Sequence, residues 1–303
     1  MNVQELLGIY HEGGLMIKAI GNYHFNRQGL INYSFPNLVK IPVNNTLVDS
    51  IRWRYVISVL LTELKRKNSY EYILKTNNYS LDHFAKKIRN RIRKSLQNCS
   101  FKRPDLEDML TFGLAINQQT LKRQHKRDKI LTDPRQWRQY ISALYKEECI
   151  TMLGAYYAGR MVGYIIALQL DGKYIINHAF IDRVDSETTD PMNGLLYTLI
   201  NQLLLKDQYI EISYGLDSIA ELPELNRFKS NMLFEPVPVS RVYILHPFLV
   251  PFFKFIIFFY IHLLRKRNIH NPFARKLVRM YQGHRLPFRE DNHLARNTKQ
   301  QVD

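Results

Sequence analysis

His178 stands in an alternating, largely apolar run, Tyr174 to Ile181 (YIINHAFI). An imidazole in a strand beside a cleft can serve as a general base, because its ordinary pKa lies nearest neutral pH. The competing role is a core histidine with a satisfied hydrogen bond. Asp182 ends the same run and could bind an amine or cap a turn. Tyr214 and Asp217 follow the next strand-like run, Tyr209 to Ser213. Strand carboxyl ends in open sheets face the usual ligand crevice, which makes both candidates for a site. An Asx-type turn is the rival role of Asp217. The segment Lys86 to Lys94 (KKIRNRIRK) carries six Lys or Arg in nine residues, Arg89 and Arg93 among them. Ile88 and Ile92, at i and i+4, can dock one face while the cations point outward, as a solvated face or an anion-binding surface. Aromatic residues are not interleaved there, which argues against stacking of single-stranded bases. A second basic stretch, Lys122 to Lys129, reads as a solvated loop. Cys99 and Cys149 form no CxxC pair, and no Cys/His cluster has zinc spacing, so no metal is expected. Cys149 reads as a small buried hydrophobe rather than a nucleophile.

The elements that must position these groups change character along the chain. Residues 1–50 mix short apolar runs with turn signals and read as strand-rich or irregular. Ile51 to Lys65 has apolar residues at helical spacing and predicts an amphipathic helix. Tyr70 to Lys75 predicts a short strand, and Ser80 an N-cap for a basic helix, Leu81 to Leu96. Helices are expected over Asp105 to Leu121 and Asp133 to Glu147. Three strand-like runs follow: Thr151 to Tyr157, Met161 to Leu170 and Tyr174 to Ile181. Ala158-Gly159-Arg160 and Asp171-Gly172-Lys173 separate them and are hairpin signals. A helix opening near Pro191, a strand over Tyr209 to Ser213, a short helix over Leu222 to Asn231 and a strand over Val239 to Leu245 complete the order. A meander followed by alternation is an α+β architecture, a mixed α/β sheet with helices on its faces.

Composition narrows the partners without choosing one. The 303 residues are 46% hydrophobic and 23% charged, a globular balance that excludes wholesale disorder and a disulfide scaffold. A mean hydropathy of −0.29 disfavours a polytopic membrane protein. Forty-three Lys plus Arg against 27 Asp plus Glu leave a net charge of +16, which favours nucleic acid, phosphorylated cofactors or an anionic membrane leaflet. No basic-then-apolar leader opens the chain, so a cytoplasmic location is expected, with peripheral contact at the inner membrane face as a possibility. That contact would come from 246–289. His246 to Leu264 is the most apolar run, though Lys254 and two prolines interrupt it, and no Asp or Glu occurs from there to Arg289. Packing against the sheet or a partner is the other reading of this run.

The order of elements over residues 98–245 resembles the GNAT acyltransferase fold, and more narrowly the Fem-like acyltransferases. Three stretches carry the resemblance: Lys86 to Lys94, Leu153 to Ala167 (LGAYYAGRMVGYIIA) and Ile210 to Phe234 (IEISYGLDSIAELPELNRFKSNMLF). The resemblance implies three regions. These are a partial GNAT-like domain with the basic helix over 1–97, a GNAT-like acyltransferase domain over 98–245, and an apolar then basic extension over 246–303. It places an acidic turn at Asp217 and a Phe-Lys element at Phe228 and Lys229, where Lys229 would meet a phosphate or other anionic group. Most acyl-CoA-using GNAT enzymes carry a glycine-rich loop before the helix that holds the pyrophosphate. Here that junction reads RVDSETTDPMNGLLYTL, in which only Gly194 survives and Asp185, Glu187 and Asp190 add negative charge. Fem-like members also tend to lack the loop.

The resemblance implies an N-acyltransferase. It would move an acyl or aminoacyl group from a thioester or tRNA donor to an amine on a cell-envelope, amino-sugar or lipid-linked acceptor. His178, Asp217 and Tyr214 are the expected catalytic residues. Gly194, Lys229, Arg89 and Arg93 are the expected donor-binding residues, with acyl-CoA or aminoacyl-tRNA as the co-substrate. The alternative is a non-catalytic module of the same fold that binds RNA or anionic membrane.

Overall fold

The computed structural model describes residues 1–184, 186–219, 222–260 and 272–285. Its strands, in chain order, are β1 (Ile17–Ile20), β2 (Tyr23–Gln28), β3 (Ile31–Phe35), β4 (Ile57–Thr62), β5 (Ser69–Thr76), β6 (Ser100–Lys102), β7 (Ile150–Tyr157), β8 (Arg160–Leu170), β9 (Lys173–Ile181), β10 (Ile210–Leu216) and β11 (Glu235–Leu245). The chain divides into two compact units. Unit 1 comprises Met1–Leu15, Tyr72–Gly215 and Glu224–Pro236; unit 2 comprises Met16–Glu71, Leu216–Pro223 and the chain from Val237 onward. This division is discontinuous in sequence, and it puts the basic helix Lys86–Asn98 in unit 1.

In unit 1 the strands run in the order β5-β10-β9-β8-β7-β6. The meander β7-β8-β9 is antiparallel, closed by two-residue turns. Ala158-Gly159 and Asp171-Gly172 both have φ near +50° then near +80°, so each glycine meets the left-handed demand of a tight hairpin. Side chains alternate across β8. Ile165 packs with Leu153, Ala155, Leu195 and Leu199 beneath the helix Pro191–Lys206. Tyr164 points the other way and donates to Asn117 Oδ1 on the helix Leu114–Arg123. Trp137, on the helix Pro134–Tyr145, donates to Met109 O at 2.7 Å on that second face. Asp133 caps this helix, accepting from the amides of Arg135 and Gln136 at 3.0 Å.

In unit 2 the order is β1-β2-β3-β4-β11, with β3 and β4 parallel and the other pairs antiparallel. Leu60, Val242 and Ile244 bury one face against the helix Asn45–Arg52. Val59, Tyr243 and Leu245 bury the other against Phe253, Leu277 and Met280, which come from the helices Leu249–Phe259 and Pro272–His284.

Three elements differ from expectation. The helix expected over Ile51 to Lys65 ends at Arg52, and Ile57–Thr62 is β4. Both faces of that strand are covered, so it is buried from Ser58 to Thr62 without a polar-out alternation, and periodicity does not distinguish it from a buried helix. The start of the chain, read as strand-rich or irregular, does hold β1, β2 and β3, but it opens on an unexpected helix, Val3–Glu12, begun by a capping box between Asn2 and Glu5. The basic helix begins later than expected. Ser80 precedes a short 3₁₀ turn, Leu81–His83, and Lys86–Asn98 starts after Ala85 with no side-chain cap.

Candidate active site

Parallel strands β9 and β10 are in register over only two pairs, Ile212↔Tyr174 and Ser213↔Ile175. Beyond them β9 stays paired with β8 as far as Ile181↔Gly163. Among the described residues no β10 residue pairs with Ile176–Ile181, so the two strands part within unit 1. The parting leaves the backbone groups on that edge of β9 without strand partners. His178 and Asn177 lie on one side of the opening, and Tyr214 and Gly215 on the other.

On the β9 side, Tyr140 Oη is the hub of a polar cluster. It lies 2.9 Å from His178 Nε2 and accepts from Asn177 Nδ2 at 2.9 Å. The Tyr10 ring packs on Tyr140 with 5.8 Å between centroids, and the His178 ring stacks on Phe180. Burial lowers the His178 pKa from 6.5 to about 4 and raises that of Tyr10 to about 12. His178 is therefore a neutral imidazole at neutral pH. In the fold it is a weaker base than an exposed histidine.

On the β10 side, Lys229 is 2% exposed, on the helix Pro223–Asn231. Its Nζ stands 4.6 Å from the Tyr72 ring centroid and 5.1 Å from that of Tyr214. Two π faces beside a desolvated ammonium attract its positive charge. Tyr214 is fixed in turn by edge contacts with Phe228 and Phe234. Burial raises the Tyr214 pKa, so its phenol stays neutral.

Asp217 falls in unit 2, and its carboxylate is enclosed. It accepts from Ser69 Oγ, from the Tyr70 amide at 3.2 Å, from Arg241 Nη2 at 3.3 Å and from Arg279 Nη2. Arg279 also donates to Ser218 O at 2.9 Å. Asp217 thus ties the helix Pro272–His284 to the turn after β10. Asp182 accepts from the Val184 amide at 2.9 Å and pairs with Arg160 at 3.1 Å, the turn-capping role among its two candidates.

A Cβ at Gly194 would collide with Ser95 and Phe101. The glycine lets the helices Pro191–Lys206 and Lys86–Asn98 approach closely, which gives it a reason to be glycine other than a phosphate loop. The helix Pro191–Lys206 opens on Asp190, which is left-handed with φ 45° and offers no side-chain cap. Asp185 lies outside the described residues, as does the side chain of Glu187. Arg89 donates to Phe84 O at 3.2 Å and approaches Asp82 at 3.6 Å, whereas Arg93 is exposed. Among the described residues no His, Cys, Asp and Glu cluster could hold a metal. Burial raises the Cys149 thiol pKa, against a role as nucleophile.

Sequence reading missed Tyr10, Tyr140, Asn177, Arg241 and Arg279. None carried a local signal, since each reaches its partner across an intervening element.

No protein-family profile matches the sequence, and no curated protein matches it. Solved structures do. FemX superposes with a TM-score of 0.52 at 10% identity, over 82% of this chain and 93% of that one. L-PGS from Bacillus licheniformis gives 0.52 at 12%, over 84% and 91%. The C-terminal domain of an Agrobacterium fabrum protein assigned as a lysylphosphatidylglycerol synthetase gives 0.51 at 10%, over 77% and 85%. The chain has a Fem-like fold, the one it shares with FemX and these two structures. At these identities the likeness is one of backbone architecture, in agreement with the resemblance carried by Leu153 to Ala167 and Ile210 to Phe234.

Proposed function

We propose that the protein is an enzyme, an N-acyltransferase that moves an acyl or aminoacyl group to an amine. The observation that supports this most is the parting of β9 from β10 after two residue pairs. An amide-bearing donor can pair with the free edge of β9 as an extra strand would, while the acceptor amine enters from the other side. Holding two reactants in one opening is worth about 7–11 kcal/mol of barrier, and no covalent enzyme intermediate is needed.

In the step itself the amine nitrogen forms a bond to the acyl carbon, and the C–S bond of a thioester or the C–O bond of a tRNA ester breaks. The nitrogen loses a proton, and the leaving thiol or ribose hydroxyl gains one. Lys229, desolvated between Tyr72 and Tyr214, would as an ammonium counter the oxyanion of the tetrahedral intermediate. His178, neutral and tied to Tyr140, can pass the proton through water but does not store it. Arg93, with its exposed neighbours Lys86, Lys87 and Arg91, would guide an anionic donor. The Gly194 junction offers no glycine-rich phosphate loop, which favours an aminoacyl-tRNA over acyl-CoA as donor. One of the fold neighbours is assigned as a lysylphosphatidylglycerol synthetase, in keeping with an aminoacyl group and with an amine or headgroup on a cell-envelope or lipid-linked acceptor.

Purified protein is to be given acyl-CoAs, aminoacyl-tRNAs and amine acceptors in turn. Transfer that falls at least a hundredfold in Lys229→Met, with the fold intact by circular dichroism, is the expected result. Salt-dependent binding of tRNA with no transfer from any donor would instead favour the non-catalytic reading, which the sequestered Asp217 and the weak base His178 support.

A further inference from the structure

The helix Leu249–Phe259 buries Phe253 against Leu277 and Met280 and turns a different set of rings outward. Phe248, Phe252, Phe255 and Phe259 repeat at i, i+4, i+7 and i+11, which is one helical stripe, with Phe258 beside it. These five are between 47% and 81% exposed. The stripe continues through ring contacts, one tilted and one edge-on. Phe248 lies 5.3 Å from His246, and His246 lies 5.6 Å from Trp53, itself 58% exposed. The exposed phenylalanine surface alone is roughly 600 Å², the top of the range for the largest patch on an ordinary monomer.

Cations rim this patch. Lys254 is exposed on the same helix and Arg54 beside Trp53, while Arg52 lies over the Trp53 ring and also pairs with Asp49. From His246 to Arg289 the sequence holds nine Lys or Arg and no Asp or Glu. An aromatic stripe that ends in a tryptophan and is rimmed by cations matches the interface of an anionic bilayer, where rings sit at headgroup depth and cations meet phosphates. A second copy of the chain would bring the same positive rim against itself. Among the described residues no helix is long and apolar enough to cross a membrane. We propose that the Phe248–Phe259 stripe and Trp53 form a docking face that lies in the plane of an anionic lipid surface. The proposal does not rest on the transferase reading, and its test uses no substrate.

The test is co-sedimentation of the full chain with vesicles of equal parts phosphatidylglycerol and phosphatidylcholine, against vesicles of phosphatidylcholine alone. Of the two tryptophans, Trp137 is fully buried, so an emission blue shift on binding reports Trp53. The expected result is binding to the anionic vesicles at least tenfold tighter than to the neutral ones, weakened by salt, with a blue shift that Trp53→Phe abolishes. The triple variant Phe252→Ser, Phe255→Ser, Phe259→Ser should bind roughly a hundredfold more weakly with an unchanged melting temperature, since its rings are not in the core. Undiminished binding by the triple variant would overturn the proposal, as would failure of the wild type to bind anionic vesicles. A wild-type dimer that the triple variant dissociates, without vesicle binding, would assign the face to a second copy and also overturn it.

Discussion

Asp217→Ala separates the two roles open to this residue. The Asp217 and Arg241 side chains are 4% and 5% exposed. Removing one partner of such a pair leaves the other charge buried and uncompensated, at about 3–5 kcal/mol. Arg279, at 22% exposed, stays partly hydrated and adds little. Against a typical total of about 5–15 kcal/mol this is a large share. With a urea dependence of about 2 kcal/mol per molar, the midpoint for unit 2 falls by about 2 M. Asp217→Asn keeps the shape and two acceptor lone pairs and should fall about half as far. Adding Arg241→Met to Asp217→Ala should recover much of the loss, because it removes the stranded charge. Urea titration followed by far-ultraviolet circular dichroism reads the shift, and limited proteolysis after Leu216 reads release of the helix Pro272–His284. A midpoint within about 0.25 M of wild type, the size of a neutral surface change, together with abolished transfer would refute the structural role and return Asp217 to the reacting centre.

Other consequences follow from unit 1. His178 has its pKa lowered in the folded state from 6.5 to about 4, so between those values the unfolded chain binds the extra proton. Stability should therefore fall as pH drops from about 6.5 toward 4, by at most about 1.4 kcal/mol per pH unit, and His178→Gln should flatten that slope in urea titrations run across the range. Proton NMR of the His178 ring should show no titration above about pH 5; a midpoint near 6.5 would contradict its burial. Gly194→Ala drives a methyl into Ser95 and Phe101 and should cost about 1–3 kcal/mol. Ser95→Gly in the same chain should restore part of the loss in thermal melts, and no restoration would mean that the glycine serves some purpose other than helix approach.

Local chemistry made much of the fold legible in the sequence. Ala158-Gly159 and Asp171-Gly172 announced the β7-β8-β9 meander because a two-residue hairpin needs positive φ at both positions, and both pairs have it. Asp133 before Pro134 announced a helix start for the same local reason. Local signals failed at Ile57–Thr62, where burial on both faces erases the period of two, and at Asn2–Glu5, where a capping box passed unnoticed among turn residues. The candidate site divides along the same line. Residue type and spacing placed His178 in one strand and Tyr214 just past the next, and the family resemblance pointed to Lys229. Only the packed chain decided what those groups are: His178 loses its basicity to burial under Tyr140, 38 residues away, and Asp217 is claimed by Ser69 and Arg279, at separations of 148 and 62. Hydrogen-bonding and turn preferences act over a few residues and can be read along the chain, whereas desolvation and ion pairing depend on which distant segments the fold brings within a few ångströms.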